Sequence, residues 1–367
     1  MKKKIKFSIL ILFVFTGLVF FNNCDRKEEN SSLRLEEKIT DIMEPYIKVG
    51  AIVGVIYKGE KQVFSYGSKS IEENDPPDID TVFEIGSITK TFTATLLADL
   101  NLKGIINLDD IVGDFLPADK VSMPNYNGVE ITFRHLATHY SGLPRMPSNI
   151  GAYNEDPYAL YTKEDMYEFL NNFILARPPG AEYSYSNLGV GLLGHTLGII
   201  DGTSYEDLLF RNIFNVLGMK NSSLLLTEKQ KENLALGHDA DLNITSNWNG
   251  NDCFHGAGFI KSSLRDMFKF LEANMGLKDT SLNEPMEAAQ LVQFPDSYGD
   301  SVGLIWAISM VAGQRIVWHN GGTGGYKAYL GFNRKLGNGV IILFNCKDAP
   351  TYEAGEKILE ILKDHEQ

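Results

Sequence analysis

The stretch FEIGSITKTF, from Phe83 to Phe92, places a serine and a lysine three positions apart at a predicted helix start. In a helix beginning there, the Ser87 and Lys90 side chains share one face and can touch. The free N–H groups and positive dipole of a helix N-terminus favour a developing negative charge on the serine. A chain of this length contains about one Ser-x-x-Lys by chance, so other segments must supply the partners of a catalytic pair.

Lys90 can act as a base only if its pKa falls from about 10.4 towards 7–8. Burial lowers the pKa of an ammonium group, and apolar residues flank the pair: Phe83, Ile85, Ile88 and Phe92. The alternative is a helix-capping serine followed by a solvated lysine.

Two later segments favour catalysis. YSYSNLG carries Tyr185 and Asn187, and HNGGTGGY, His319 to Tyr326, follows a short predicted strand. With the serine and lysine, they provide a nucleophile, a base, a phenol, an amide and a glycine-rich strand edge with accessible N–H groups. Acyl transfer needs these groups.

FEIGSITKTF, YSYSN and HNGG, in this order and spacing, resemble the class C β-lactamase-like branch of the penicillin-recognising serine hydrolases. That branch includes class C β-lactamases, D-alanyl-D-alanine carboxypeptidases, D-aminopeptidases and β-lactamase-like esterases. The resemblance covers about residues 35–364. It implies an α/β fold of the α+β type, and catalysis without metal or cofactor.

The resemblance also implies roles for individual residues. Ser87 would be the nucleophile, and Lys90 would help to deprotonate it. Tyr185 would carry the proton to the leaving group, and Asn187 would hold both Lys90 and the substrate amide. The backbone N–H groups of Ser87 and Gly322 would form the oxyanion hole.

One segment departs from the β-lactamase pattern. Where β-lactamases and many DD-peptidases carry Lys-Thr-Gly, this chain has His319, Asn320 and Gly321, which with Gly322 would line the substrate site. A histidine with an ordinary pKa near ~6.5 is mostly neutral at neutral pH and would bind a substrate carboxylate less strongly than lysine. The resemblance therefore favours a peptidase or esterase over an efficient β-lactamase.

Three other motifs suggest different chemistry. GDSVG, Gly299 to Gly303, matches the G-x-S-x-G nucleophile elbow, but a strand rather than a helix is predicted after it. GVGLLG, Gly189 to Gly194, lacks the βαβ context of a dinucleotide site, and closely packed helix glycines explain it better. HLATH spaces His135 and His139 like zinc ligands, but no third ligand is evident, which favours hydrogen-bonded structural histidines.

Composition limits the partners. The chain has 367 residues, with 44% hydrophobic and 22% charged residues and a net charge of −13, which disfavours nucleic acid as a partner. We expect a monomer acting on a small-molecule or peptide substrate. Cys253 and Cys346 can form a disulfide or remain as two buried thiols.

The N-terminus predicts export. Four lysines precede an apolar run, Phe7 to Phe21, and Cys24 follows at the position where a bacterial lipoprotein is cut and lipidated. The residue before it, Asn23, is unusual for such a signal, so an uncleaved anchor and a released protein remain alternatives. Each places the fold outside the cytoplasmic membrane, in the bacterial envelope.

Strand patterns at both ends of the chain predict one antiparallel sheet, flanked by helices, with an inserted mainly helical lobe. The predicted domains are a signal or anchor at 1–24, a polar tether at 25–32 and a hydrolase domain at 33–364. Within that domain, residues 33–86 and 300–364 form the sheet lobe and 87–299 the helical lobe.

The sequence thus predicts an exported, membrane-anchored serine hydrolase that forms an acyl-enzyme on Ser87. Its substrates would be D-amino-acid peptides, small esters or β-lactams, selected by the loops at Arg145 to Pro157 and Asp239 to Asp252. The alternative is a catalytically silent envelope protein that uses the same cleft to bind peptidoglycan or a partner.

Overall fold

The computed structural model describes residues 25–151, 156–295 and 301–364. The strands are β1 Gly50–Tyr57, β2 Glu60–Gly67, β3 Val82–Glu84, β4 Lys261–Ser263, β5 Phe294–Pro295, β6 Ser301–Val302, β7 Ala307–Val311, β8 Gln314–Gly322, β9 Lys327–Asn333 and β10 Asn338–Phe344. The helices are α1 Asp25–Met43, α2 Thr89–Leu102, α3 Phe133–Ala137, α4 Lys163–Asn172, α5 Asn187–Asp201, α6 Tyr205–Leu209, α7 Asn215–Leu217, α8 Glu228–Lys231, α9 His255–Gly258, α10 Leu264–Met275, α11 Asn283–Ala289 and α12 Thr351–Asp364.

Strands from both ends of the chain form one sheet. Eight strands pair antiparallel in the order β2-β1-β10-β9-β8-β7-β6-β5. The N-terminal β1 lies beside the C-terminal β10, with Ala51 opposite Phe344 and Ile56 opposite Gly339. The predicted antiparallel sheet built from both chain ends is confirmed. β3 and β4 form a separate two-stranded sheet, which the sequence did not predict.

Helices cover both faces of this sheet. Val53 faces a core with residues of α1 and α12, including Ile39 and Ile358. The preceding residue, Ile52, faces the helical lobe and its larger core. Because both faces are buried, β1 is apolar at nearly every position instead of alternating.

The central helix α2 is buried for most of its length, from Thr89 to Leu100. Phe92 anchors it, stacking on Phe270 of α10 with ring centroids 3.7 Å apart and meeting Phe214 edge-on at 6.0 Å. These contacts fix the start of α2 relative to the sheet, and that start carries Ser87 and Lys90.

The N-terminal region differs from the prediction in its bounds. The first helix, α1, begins at Asp25 and ends at Met43, with a 3₁₀ turn containing Pro45 after it. Residues 25–32, predicted as a polar tether, therefore form the first turns of α1. The predicted signal or anchor, with Cys24, lies outside the described residues. Across the described ranges, no helix is both long enough and apolar enough to span a bilayer.

Cys253 and Cys346 are both buried free thiols, so the two do not form a disulfide. The Cys253 Sγ lies 3.6 Å from the Tyr161 carbonyl oxygen, and the Cys346 Sγ lies 3.7 Å from that of Asp239. Of the two alternatives, the structure has the buried thiols.

We expect Phe92→Ala to lower the free energy of unfolding by about 3–5 kcal/mol, because it removes a fully buried ring between two helices and leaves a cavity. Urea denaturation followed by circular dichroism measures it. Phe210→Ala is the matched control, since that ring is 53% exposed, and it should cost about 1 kcal/mol or less. Equal losses in the two variants would contradict the anchoring role of Phe92.

Candidate active site

The candidate site lies where the end of β8 meets the turn before α2. Beyond Trp318, β8 pairs only with β9, because its register with β7 ends there. The free side of the strand end faces the 3₁₀ turn Gly86–Ile88. The contact is close enough to exclude side chains, since a Cβ on Gly321 would lie 2.0 Å from the Ile85 carbonyl oxygen.

This contact brings the backbones of Ser87 and Gly322 together. A Cβ on Gly86, whose φ is +50°, would lie 2.5 Å from the Gly322 nitrogen, and one on Gly321 would lie 3.1 Å from the Ser87 nitrogen. The N–H groups predicted to form the oxyanion hole therefore belong to adjoining stretches of backbone.

Ser87 and Lys90 are in direct contact. The Lys90 Nζ donates to the Ser87 Oγ at 3.0 Å and to the carbonyl oxygen of Ala257 in α9. Lys90 is fully buried. Burial, with the positive charge of Arg145 as a second cause, holds the pKa of the Lys90 ammonium well below its usual range. This geometry agrees with the prediction that burial lowers the pKa of Lys90, as a base requires.

Tyr185 lies beside this pair. The Lys90 Nζ is 5.1 Å and the Arg145 Cζ is 5.0 Å from the centre of its ring, and the His139 ring lies 4.3 Å away. Burial raises the pKa of Tyr185, and a hydrogen bond with Ser87 opposes that shift. The phenol is therefore protonated at neutral pH, and it lies where it can donate a proton next to Ser87.

His139 holds the segment that carries Tyr185, a role that the sequence did not reveal. Its Nδ1 accepts from the Ser186 N–H at 3.2 Å, and its carbonyl oxygen accepts from the Ser184 N–H at 2.7 Å. Both neighbours of Tyr185 are thus fixed by one residue. His135 forms a capping box with Thr132. The prediction that both are hydrogen-bonded structural histidines is confirmed.

Asn187 is buried at the start of α5, but it does not hold Lys90 as the resemblance implied. Its Nδ2 donates to the Tyr158 hydroxyl at 3.0 Å, and its backbone N–H donates to the Arg145 carbonyl. The Ala257 carbonyl takes the place of this amide as the Lys90 partner. The buried Oδ1 of Asn187 has no hydrogen-bond partner, so it can accept from an incoming N–H group.

His319 is buried at the strand end, and its Nδ1 is 2.6 Å from the Asn320 carbonyl oxygen. Its ring lies 6.4 Å from that of Tyr185. Burial, followed by the nearby Lys90, lowers the pKa of His319 to about 4. The expected ordinary pKa is therefore wrong, and His319 stays neutral well below neutral pH. It provides no cation for a substrate carboxylate.

The two loops predicted to select the substrate meet across the cleft. The Asp156 carboxylate accepts from the N–H groups of Asn249 and Gly250 at 2.7 and 3.1 Å. Buried Glu84, three residues before Ser87, accepts from the Trp248 N–H at 2.7 Å. The second loop is thus tied to the first loop and to the strand that leads into Ser87. No motif in the sequence pointed to Asp156 or Glu84.

The competing motifs have structural roles. The GVGLLG glycines lie within α5, where a Cβ on Gly194 would approach Gly256 of α9 to 2.9 Å. They allow two helices to pack closely, as predicted. Ser301 of GDSVG begins β6, and β7 follows, so no helix continues from the serine as an elbow requires. The described residues contain no cluster of three or more metal-ligating His, Cys, Asp or Glu side chains.

Comparison with known proteins identifies the family of this chain. The family described as Beta-lactamase matches residues 35–363. The D-alanyl-D-alanine-carboxypeptidase/endopeptidase AmpH of Escherichia coli K12 is 28% identical over 305 residues, which cover 78% of each chain. A beta-lactamase of Pseudomonas fluorescens is 26% identical over 373 residues, covering 91% of this chain and 98% of the relative.

The fold agrees with solved structures as well. A beta-lactamase/D-alanine carboxypeptidase from Yersinia pestis superposes with a TM-score of 0.79 at 24% identity, covering 91% of this chain and 99% of the other. An octameric penicillin-binding protein homologue from Pyrococcus abyssi gives 0.78 at 25% identity, covering 91% and 77%. The chain belongs to the β-lactamase family, and it is an enzyme of the serine hydrolase class.

We expect Gly321→Ala to slow the reaction of Ser87 with a fluorophosphonate by about 10²–10³-fold. The new methyl group would collide with the Ile85 carbonyl and separate the two N–H donors, and loss of one oxyanion donor has an effect of that size. Intact-mass spectrometry over time gives the rate. In Gly322→Ala the methyl group meets only the flexible Lys327 side chain, at 3.3 Å, so that variant should lose far less. Equal rates in both would show that the close backbone contact is unnecessary.

Proposed function

We propose that this protein is an exported hydrolase that cleaves D-amino-acid peptides or small esters through an acyl-enzyme on Ser87. The observation that carries the proposal is the 3.0 Å contact between Ser87 and a buried Lys90 whose pKa is well below its usual range. A lysine that is neutral at the working pH can take the proton of a serine hydroxyl, whereas a solvated lysine cannot.

In the proposed acylation step, the Ser87 Oγ attacks the substrate carbonyl carbon while its proton passes to the Lys90 Nζ. The negative charge that develops on the carbonyl oxygen is stabilised by the N–H groups of Ser87 and Gly322. Tyr185 then relays a proton to the leaving amine or alcohol as its bond to the carbonyl carbon breaks. Water attacks the resulting ester on Ser87 in the second step, which releases the acid and restores the serine.

The name of one relative favours a peptide substrate, because AmpH is named a D-alanyl-D-alanine-carboxypeptidase/endopeptidase. The unpartnered Asn187 Oδ1 can accept a hydrogen bond from an amide N–H of the substrate, which both peptides and acylamino β-lactams offer. At the position where β-lactamases carry the lysine of Lys-Thr-Gly, His319 is neutral, so it offers no charge to a carboxylate of either.

We expect Ser87→Ala to abolish covalent labelling by a fluorophosphonate or a fluorescent penicillin while the circular dichroism spectrum is retained. Lys90→Ala and Tyr185→Phe should slow acylation by several orders of magnitude, because a nucleophile and its base act as one unit. Intact-mass spectrometry with peptide mapping identifies the labelled residue. The wild-type labelling rate should fall as the pH drops and Lys90 becomes protonated, because only the neutral amine is a base.

Ser301→Ala is the matched control, since it removes the other serine with a nucleophile-like motif and should leave labelling unchanged. An adduct on Ser301, or on any residue other than Ser87, would overturn the assignment. No labelling of the folded wild-type protein by either reagent would favour the silent binding protein.

We also propose that the mature protein begins at a lipidated Cys24 and stays with the membrane. The basic start, the apolar run and the position of this cysteine support the proposal. Cys24→Ala should block lipidation and cleavage at that site, as measured by mass spectrometry of the mature N-terminus and by membrane fractionation. Cys346→Ala, which removes a buried thiol of the folded domain, should leave both unchanged. A mature N-terminus at another residue, without acyl chains, would contradict the proposal.

A further inference from the structure

We propose that Arg145 determines substrate specificity by binding an anionic group of the substrate, with a carboxylate as the expected group. The inference rests on the proposed acyl-enzyme function and adds the chemical class of the substrate to it. Arg145 lies in the first of the two loops that border the cleft, directly after Pro144 and before Met146.

The side chain of Arg145 lies at the site, against the ring of Tyr185. Its Cζ is 5.0 Å from the centre of the Tyr185 ring, and the residue is exposed. No carboxylate of the described residues forms an ion pair with it, whereas other arginines of the chain pair with Asp109, Asp201, Asp80 and Glu287. An exposed arginine beside Tyr185, without an ion pair among the described residues, can bind an anion in a chain of net charge −13.

The other basic groups around Tyr185 cannot do this. Burial lowers the pKa of Lys90, His139 and His319, the last to about 4. Burial therefore favours the neutral form of all three groups. A guanidinium group keeps its charge in proteins, so Arg145 is the cation beside Tyr185, while the Lys327 side chain lies next to Gly322.

The loop holds Arg145 in place before any substrate binds. Its carbonyl oxygen accepts from the N–H groups of Asn187 at 3.0 Å and Leu188 at 3.3 Å. These bonds link its backbone to the start of α5, and the contact with the Tyr185 ring restrains the guanidinium. A planar guanidinium in fixed position binds a carboxylate through two parallel hydrogen bonds, and little side-chain entropy remains to be lost.

The same contacts allow a clean test. Because the carbonyl of Arg145 makes the hydrogen bonds to α5, a substitution of the side chain leaves that link intact. Loss of the positive charge would also raise the pKa of Lys90, since Arg145 is the second cause of its depression. That effect is the same for charged and neutral substrates at a given pH, so it cancels in the ratio of their rates.

A carboxylate can reach Arg145 from either half of the substrate, and two pairs of compounds separate these sources. Para-nitrophenyl hydrogen adipate and para-nitrophenyl hexanoate differ by a carboxylate on the acyl half. Benzylpenicillin and its methyl ester differ by a carboxylate on the half bonded to the leaving nitrogen. The measurement is the second-order rate of Ser87 acylation by each compound, corrected for spontaneous hydrolysis, in wild type, Arg145→Gln and Arg145→Lys.

We expect the ratio of charged to neutral rates to fall about tenfold in Arg145→Gln for at least one pair, since a charge-assisted hydrogen bond becomes a neutral one. The pair that responds identifies the half of the substrate that carries the carboxylate. Arg145→Lys should recover part of the ratio, because it restores the charge without the planar fork. A purely structural role for Arg145 would lower both rates of a pair equally.

Arg211→Gln is the matched control for the change in net charge. Arg211 is exposed and pairs with Asp201 at the far end of α5, about 20 Å along the helix from Asn187, so both ratios should stay at the wild-type value. If Arg145→Gln is acylated and both ratios are unchanged, the role of Arg145 is overturned but the proposed function is not. Absence of Ser87 acylation in the wild type by all four compounds would overturn the proposed function, and this inference with it.

Discussion

A buried lysine without an acidic partner is the constraint on which the site depends. Lys90 is fully buried, and none of the described carboxylates pairs with it. Taking an unpaired ammonium group out of water costs several kcal/mol, so burial lowers the pKa of Lys90 and favours the neutral amine. The neighbours then serve a neutral amine: the Ala257 carbonyl and the Ser87 hydroxyl are its hydrogen-bond partners.

Different parts of the fold meet at this lysine. α2 supplies Lys90, α9 supplies the Ala257 carbonyl, and β8 closes the site against the turn that carries Ser87. The approach of β8 is possible only because Gly321 has no side chain, since a methyl group there would overlap the Ile85 carbonyl. The sheet and the helical lobe therefore each contribute a necessary part, and packing of α2 through Phe92 keeps the parts in register.

The same burial that activates Lys90 also distributes charge over the cleft. His139 and His319 lie close to Lys90, and burial drives both towards the neutral form. Arg145 is exposed to solvent at the mouth, where a charge is inexpensive to keep. The interior of the site thus favours proton transfer, while its entrance holds the positive charge. The substrate class inferred for this enzyme follows from that separation.

The sequence by itself determined the sheet from both chain ends and the inserted helices, and it predicted Ser87, Lys90 and Tyr185 as site residues, which the fold brings together. These depend on local periodicity and on three short motifs. Tertiary structure alone decided that Ala257 rather than Asn187 holds Lys90, that His319 is neutral, and that Arg145 forms no ion pair with the carboxylates of the described residues. Each of these depends on burial and on contacts between residues distant in the chain, to which local sequence patterns are blind. A pKa or a free charge is a property of the packed surroundings, and those exist only once the chain has folded.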